Sequence, residues 1–264
     1  MRVEEGQLAG GLPYVAVGSG PPLVVLGGLS AAHGPPSMME RWPPLRTFGR
    51  PFQRVFRVFL VSRRIGLPAG TTMADLAEHV AVAVRADLPA PVRLVGISTG
   101  GTVALQTAID HPDIVDRLVV LSSACRLSDL GRTAQRHLAE RTLAGQHRAA
   151  WAALAPTLST GKAGRAAFTA LLWAFGPLSA PDDPSDMVAT IRAEDVFDAE
   201  PELGRIAAPT LVVGGARDGF YTPALFEATA RGIPGARLVL QPRGTHISVL
   251  SDHQVQLELA RFLR

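Results

Sequence analysis

The sequence predicts an α/β fold built on a mostly parallel sheet of seven or eight strands, with helices on both faces. Short runs of valine, leucine and isoleucine recur along the chain, and helix-like stretches separate them. This alternation is typical of buried parallel strands joined by crossover helices. The 264 residues are 47% hydrophobic and 19% charged, which suits a globular fold with a large core.

Seven apolar runs supply the predicted strands. The run Leu12 to Val17 is expected to pair in an antiparallel hairpin near the N-terminus. The other runs are apolar enough to be buried on both faces of a sheet, and they span residues 23–26, 55–61, 92–95, 118–121, 211–213 and 237–240.

Four amphipathic stretches predict the helices. Thr72 to Asp87 begins with a threonine suited to an N-cap and has an acid, Asp75, in its first turn. Ser98 to Asp110 is the second, Thr222-Pro223 opens the third, and the fourth lies within His246 to Leu263. All four follow predicted strands, as crossover connections require.

Residues 126–205 break this alternation. They show helical periodicity, two tryptophans and proline-rich joints, and they contain no clear strand pattern. We therefore predict a core made of residues 1–125 and 206–264, with a helical insertion over residues 126–205.

Composition excludes several classes of function. The net charge is +3, but no basic face interleaved with aromatics is visible, so no nucleic-acid partner is expected. Cys125 is the only cysteine and no Cys/His cluster has zinc spacing, so we expect neither a disulfide nor a metal nor another cofactor. The first residues lack signal-peptide features, and no apolar stretch approaches the ~20 residues that cross a bilayer. We expect a cytoplasmic protein without membrane insertion.

The segment Gly96-Ile-Ser98-Thr-Gly100-Gly101 carries the clearest chemical signal. An apolar strand runs directly into this Gly-x-Ser-x-Gly motif and a helix follows, which is the setting of a nucleophile elbow. A serine in such a strained turn needs very small neighbours two positions before and after it. The helix N-terminus also favours negative charge developing beside the serine. Ser98 is therefore the candidate nucleophile.

With this elbow, the sequence resembles the α/β-hydrolase fold superfamily over nearly the whole chain. The resemblance implies an acid after a late strand and a histidine after the last strand. Asp218 and His246 stand at those positions. Serine is a poor nucleophile until an imidazole takes its proton, and the imidazole needs a carboxylate to fix its tautomer. The expected triad is Ser98, His246 as general base and Asp218 as its orienting acid.

Other residues compete for two of these roles. His33 follows an early strand and is the alternative base. Asp195 and Asp198 are alternative acids, although neither follows a strand.

The resemblance also implies an oxyanion hole made of two backbone amides. The amide of Thr99 follows the nucleophile, and the amide of Leu29 lies in an early loop. The family usually has His-Gly where this chain has Gly27-Gly28. We therefore expect a looser hole or one shaped for an unusual substrate.

In this superfamily a helical insertion lies over the nucleophile as a lid. The expected substrate contacts in the insertion are Trp151, Leu172, Trp173 and Phe175. They predict a small hydrophobic acyl substrate, namely a carboxylic ester or lactone cleaved through an acyl-enzyme. Dehalogenases and epoxide hydrolases are excluded because they have aspartate at the elbow, whereas carbon–carbon hydrolysis, perhydrolysis and cyanohydrin cleavage stay open.

Two further functions remain as alternatives. The segment from Arg41 to Arg64 contains seven arginines and no acid, which suits an acidic carrier protein and predicts a thioesterase of acyl-CoA or carrier-protein thioesters. A ligand-binding protein without catalysis is the alternative from another class.

Overall fold

Eight strands form the central sheet of the computed structural model, which describes residues 3–31, 34–35, 41, 43–159 and 161–264. In chain order the strands are β1 (Val3–Leu8), β2 (Leu12–Val17), β3 (Pro22–Leu26), β4 (Arg57–Val61), β5 (Val92–Ile97), β6 (Val115–Leu121), β7 (Thr210–Gly215) and β8 (Arg237–Gln241).

The sheet order is β1-β2-β4-β3-β5-β6-β7-β8. Strand β2 pairs antiparallel with both β1 and β4, and all other neighbours are parallel. The predicted mostly parallel sheet and its N-terminal hairpin are thereby confirmed. Only β1 lacked a signal in the sequence, because it is an edge strand whose residues are exposed except Leu8.

The helices are α1 (Arg50–Phe52), α2 (Met73–Asp87), α3 (Thr99–Asp110), α4 (Asp129–Leu143), α5 (His147–Ala152), α6 (Ala155–Leu158), α7 (Lys162–Phe175), α8 (Ser185–Asp195), α9 (Pro223–Gly232) and α10 (His253–Leu263). A π-helical turn, Leu45–Gly49, precedes α1, and short 3-10 turns cover Ala9–Gly11, Pro112–Ile114, Gly176–Ser179, Glu200–Arg205 and Ser248–Ser251. Thr72 caps α2 as predicted, through a capping box with Asp75. The fourth predicted helix lies within residues 246–263 as expected, and it begins at His253, where Asp252 caps it.

The strands are buried on both faces because the two cores use alternate residues. Val24 and Leu94 belong to the core that also includes side chains of α2, α3 and α9. Leu23 and Val95 point to the opposite face, where they share a core with the phenylalanines of the α1 region and with α10. This two-sided burial explains why the strand sequences are continuously apolar rather than alternating.

Between β6 and β7 the described residues form helices α4 to α8. Several of their apolar side chains build a separate cluster with Ala31, here called the α4–α8 cluster, which includes Leu138, Ala150, Met187, Val188 and Ile191. The role of this segment as a lid stays a prediction. Among the described residues, no helix is both long and apolar enough to cross a membrane.

The start of α3 lies directly against the end of β3. A Cβ atom placed on Gly100 would collide with the backbone oxygens of Leu26 and Gly27. A Cβ on Gly96 would meet backbone atoms of Gly100 and, at 2.5 Å, of Gly101. These are rigid backbone contacts, so glycine is required at both positions for the helix to begin where it does.

We predict that Gly100→Ala lowers the free energy of unfolding by about 1–3 kcal/mol, because the added methyl group forces the start of α3 away from β3. Urea denaturation measures the change. The matched control is Gly204→Ala, since a Cβ on Gly204 meets nothing within 4 Å. Equal stability of the two variants would contradict the packing argument.

Candidate active site

Ser98 lies in the turn between β5 and α3, at the carboxyl edge of the sheet. Its backbone has φ 53° and ψ −125°, a conformation that non-glycine residues rarely adopt. Two backbone hydrogen bonds fix the turn: Ser98 N donates to Leu121 O at 3.0 Å, and Gly101 N donates to Ser98 O at 2.7 Å. The strained turn projects the hydroxyl group beyond the strand end, as a nucleophile elbow requires.

His246 lies between Ser98 and Asp218. Its Nε2 atom is 3.0 Å from Ser98 Oγ, and its Nδ1 atom is 2.8 Å from Asp218 Oδ2. The three residues are far apart in sequence, and the loops after β5, β7 and β8 bring them together. The structure thus forms the continuous hydrogen-bonded chain that the sequence predicted.

The Asp218 carboxylate is held firmly. Its side chain is fully buried, and its Oδ1 atom accepts hydrogen bonds from the backbone N–H groups of Phe220 at 2.8 Å and Tyr221 at 3.2 Å. Its other oxygen is left to the imidazole. This arrangement fixes both the tautomer and the ring orientation of His246 when the carboxylate is ionised.

The His246 ring and loop have further supports. The aromatic rings of Phe220 and Tyr221 lie 4.7 Å and 6.1 Å from the imidazole centroid. Ser122 Oγ, at the end of β6, donates to the backbone oxygen of His246 at 2.9 Å. These contacts restrict the imidazole to the plane between Ser98 and Asp218.

The alternatives for base and acid have different outcomes. Asp195 is bound to Arg136 at 2.8 Å, and Asp198 lies 3.4 Å from Arg126, so both are occupied in surface ion pairs. His33 lies outside the described residues.

The loop predicted to complete the oxyanion hole runs beside Ser98. A Cβ atom on Gly28 would lie 3.3 Å from Ser98 Cβ, so the loop backbone is close to the hydroxyl group. The next residue, Leu29, is half-buried against the α4–α8 cluster. At Gly27, where the family usually has histidine, a Cβ meets nothing within 4 Å. The described residues therefore leave open space at that position.

Arg63 supports this loop, a role the sequence did not indicate. Its Nη1 atom donates to the backbone oxygen of Ser30 at 2.8 Å. Arg63 follows β4, which neighbours β3, so the strand order places it beside the loop that follows β3.

Glu194 on α8 is a buried carboxyl group behind the elbow. It accepts hydrogen bonds from Thr99 Oγ1 and Tyr221 Oη, both at 2.8 Å, and from Gln135 Nε2 at 3.0 Å. Burial raises the pKa of Glu194, and these hydrogen bonds oppose the shift. The Glu194 carboxyl group thus links Thr99, which follows Ser98, to Tyr221, whose backbone amide donates to Asp218. Nothing in the sequence around Glu194 distinguished it from a surface acid.

A cavity of about 280 Å³ opens next to the elbow. The neighbours of Ser98 line it, together with the loop after β3 and residues of β4 and α2. Most of this wall is apolar, including Leu26, Leu60, Leu76, Val80, Ile97 and Val103, and its polar members include Ser30, Ser62, Arg63, Arg64, His79 and Thr190.

The four predicted substrate contacts lie elsewhere. Trp151, Leu172, Trp173 and Phe175 are not part of the wall of this cavity. Helix α7 has no buried residue, and Trp173 and Phe175 are 53% and 58% exposed. Arg148 covers the Trp173 ring at 4.7 Å, and Trp151 packs against the α4–α8 cluster. The apolar wall of this cavity comes from the core and not from α7, and substrate contact by these four residues stays a prediction.

One group of possible metal ligands occurs among the described residues. Cys125 lies close to the carboxylates of Asp198 and Glu200. Both carboxylates form ion pairs with Arg126, at 3.4 Å and 3.2 Å. Burial raises the pKa of the Cys125 thiol, which disfavours the thiolate that a metal needs. The group is best described as an ion-pair cluster next to a buried thiol.

Comparison with known proteins agrees with this architecture. Residues 23–258 match the Alpha/beta hydrolase family. The chain belongs to that family. Its relatives within the family are named for different reactions.

A pimeloyl-[acyl-carrier protein] methyl ester esterase from Neisseria meningitidis is 28% identical over 200 residues, which cover 70% of this chain and 73% of the relative. The fold is similar to that of the enol-lactonase from Burkholderia xenovorans LB400, with a TM-score of 0.78, 21% identity and coverage of 98% and 99% of the two chains. It is also similar to a thermophilic esterase from Thermogutta terrifontis, with a TM-score of 0.75, 21% identity and coverage of 100% and 98%.

We predict that Glu194→Gln changes how stability depends on pH. The folded-state pKa of Glu194 is raised, so protonation of Glu194 stabilises the folded state. This stabilisation is fully present below the unfolded-state pKa and is lost as the pH rises through the folded-state pKa. The glutamine amide can accept from Thr99 and Gln135 and donate to Tyr221 Oη. The variant should therefore gain stability relative to wild type toward alkaline pH. Urea denaturation across a pH series measures this.

Exposed Glu140→Gln is the control, for which we expect no such gain toward alkaline pH. Parallel pH curves for Glu194→Gln and wild type would contradict the role assigned to burial.

Proposed function

We propose that this protein is a serine hydrolase that cleaves a carboxylic ester or lactone through an acyl-enzyme on Ser98. The observation that carries the proposal is the unbroken chain from Ser98 Oγ through His246 to Asp218, with distances of 3.0 Å and 2.8 Å. The family of the chain supports the reaction class, and the relative named as a methyl ester esterase supports the bond.

In the first half of the proposed reaction, Ser98 Oγ attacks the ester carbonyl carbon while His246 Nε2 takes the hydroxyl proton. Asp218 stabilises the imidazolium that forms. As the tetrahedral intermediate collapses, the carbon–oxygen bond breaks and His246 returns the proton to the departing alkoxide. The products of this half are an alcohol and an acyl group bound to Ser98.

In the second half, water replaces the alcohol. His246 takes a proton from the water, the hydroxide adds to the acyl carbon, and the bond to Ser98 Oγ breaks as the serine regains its proton. A lactone follows the same steps, but its alcohol stays attached to the released acid.

The negative charge on the carbonyl oxygen needs donors in both halves. The Thr99 amide is at the first turn of α3, where unpaired N–H groups and the helix dipole favour an anion. The Leu29 amide is the proposed second donor, since its loop runs beside Ser98. The Arg63 hydrogen bond to Ser30 supports that loop in a chain that has Gly27 in place of the usual histidine.

A thioester of an acidic carrier protein is the second candidate substrate. The name of the methyl ester esterase relative favours recognition of a carrier protein, as does the arginine-rich segment from Arg41 to Arg64. Two of these arginines are already in ion pairs, Arg41 with Glu5 and Arg57 with Glu4. A carrier-protein substrate should lose kcat/KM as salt is raised, whereas the free acyl ester should not.

We predict that a fluorophosphonate adds once to the wild-type protein and does not add to Ser98→Ala. Only an activated serine reacts, and Ser98 is the serine whose hydroxyl meets an imidazole supported by a buried carboxylate. Intact-mass spectrometry measures the adduct. Ester hydrolysis should fall by several orders of magnitude in the same variant, because the triad acts as a unit.

Ser251→Ala, at an exposed serine, should label like wild type. A folded wild-type protein that stays unlabelled would favour a ligand-binding protein without catalysis.

A further inference from the structure

The charged side chains described in the cavity wall are both arginines. Two arginines and one histidine line the cavity, and its described wall contains no aspartate or glutamate. Arg63 and Arg64 follow β4, whereas His79 is on α2. An apolar cavity next to a nucleophile thus has two guanidinium groups and one imidazole in its wall.

Arg63 and Arg64 differ in their contacts. Arg63 holds the loop beside Ser98 through the Ser30 oxygen. Arg64 is half-buried, and in the described ranges its side chain makes no hydrogen bond and no ion pair. Arg64 therefore presents a charge that the described protein does not neutralise.

His79 adds a second unsatisfied group to the same wall. Its Nδ1 atom is buried and has no hydrogen-bond partner among the described residues. Burial lowers the pKa of His79, and the Arg64 charge lowers it further. The nearby carboxylates of α2 are engaged elsewhere, Asp75 with Thr72 and Glu78 with His111. The neutral imidazole is thus available to a ligand as a hydrogen-bonding group.

A ligand with a single negative charge fits this cavity. A carboxylate matches one guanidinium group through two parallel hydrogen bonds. A phosphate carries more charge and takes more donors than one arginine and one neutral histidine supply. The cavity volume of about 280 Å³ exceeds the roughly 150 Å³ that holds a benzene ring, so it has room for a short chain or small ring.

We propose that the substrate of this enzyme is an ester or lactone that carries a carboxylate away from the bond that is cleaved, and that Arg64 binds this carboxylate. The inference rests on the proposed hydrolase function, because it places the cleaved bond at Ser98. It makes Arg64 a specificity-determining residue. The apolar wall then holds the chain or ring between the carboxylate and the reacting carbonyl.

Matched esters test this substrate class. Monomethyl esters of straight-chain dicarboxylic acids, from succinate to suberate, are compared with methyl esters of monocarboxylic acids of equal length. Wild type should favour the charged ester at one or two lengths by about 10- to 100-fold in kcat/KM, the range expected for a hydrogen-bonded ion pair. Most of the difference should lie in KM if the carboxylate is bound equally in the ground and transition states.

Substitutions at Arg64 test whether this residue causes the preference for charged esters. Arg64→Gln should remove the preference, because it should lower kcat/KM for the charged esters by about 10- to 100-fold and affect the neutral esters much less. Arg64→Lys should restore part of it, because lysine keeps the charge and loses the paired geometry. Arg54→Gln is the control, since Arg54 is an exposed residue of the same segment and lies outside the cavity wall. A monophosphate-bearing ester that outperforms every carboxylate would overturn the choice of anion.

Binding to Ser98→Ala separates this inference from the proposed function. Calorimetry with that variant should detect the charged ester more strongly than the neutral one, and Arg64→Gln in the same background should abolish the difference. Equal binding and equal turnover of charged and neutral esters would overturn the inference and leave the hydrolase intact. Arg64-dependent binding without any turnover would overturn the hydrolase function and leave a carboxylate site.

Discussion

The contact between the first turn of α3 and the ends of β3 and β5 sets the geometry of the whole site. Ser98 has a positive φ, a conformation that costs on the order of 1–3 kcal/mol for a residue with a side chain. The strain persists because Gly96 and Gly100 let three backbone segments meet without intervening Cβ atoms. If the helix moved outward by one methyl group, the hydroxyl of Ser98 would lose its place opposite the imidazole.

The parallel sheet supplies the remaining groups at the same edge. Ser98 follows β5, Ser122 follows β6, Asp218 follows β7 and His246 follows β8, and these four strands are consecutive neighbours. Parallel strands place all their carboxyl ends on one side, which is why groups from distant parts of the chain converge there. Ser122 has no proposed chemical role, but its hydroxyl group donates to the backbone oxygen of His246 and so helps to hold the loop after β8.

Glu194 links the segment between β6 and β7 to this edge. A carboxyl group in a dry interior is costly unless every oxygen has partners, and here a threonine, a tyrosine and a glutamine supply them. Tyr221 stays a hydrogen-bond donor to Glu194, because burial and the Glu194 carboxylate both raise the pKa of its phenol. The network makes α8 part of the support behind Thr99 and Asp218. The same helix contributes Thr190 to the cavity wall.

The sequence by itself determined the α/β class, the strand and helix pattern, and the three residues that meet at the sheet edge. Those features rest on local signals: continuous apolar runs, a capped helix, and glycines that flank a serine between a strand and a helix. Only the tertiary structure decided the contacts of Arg63 and Glu194, the position of Arg64 in the cavity wall and the composition of that wall. Trp151, Leu172, Trp173 and Phe175 illustrate the limit, because an apolar helix face can pack on another helix, face solvent or line a pocket with the same periodicity. Which of these happens depends on contacts between segments that are distant in the chain, and a single sequence does not encode them locally.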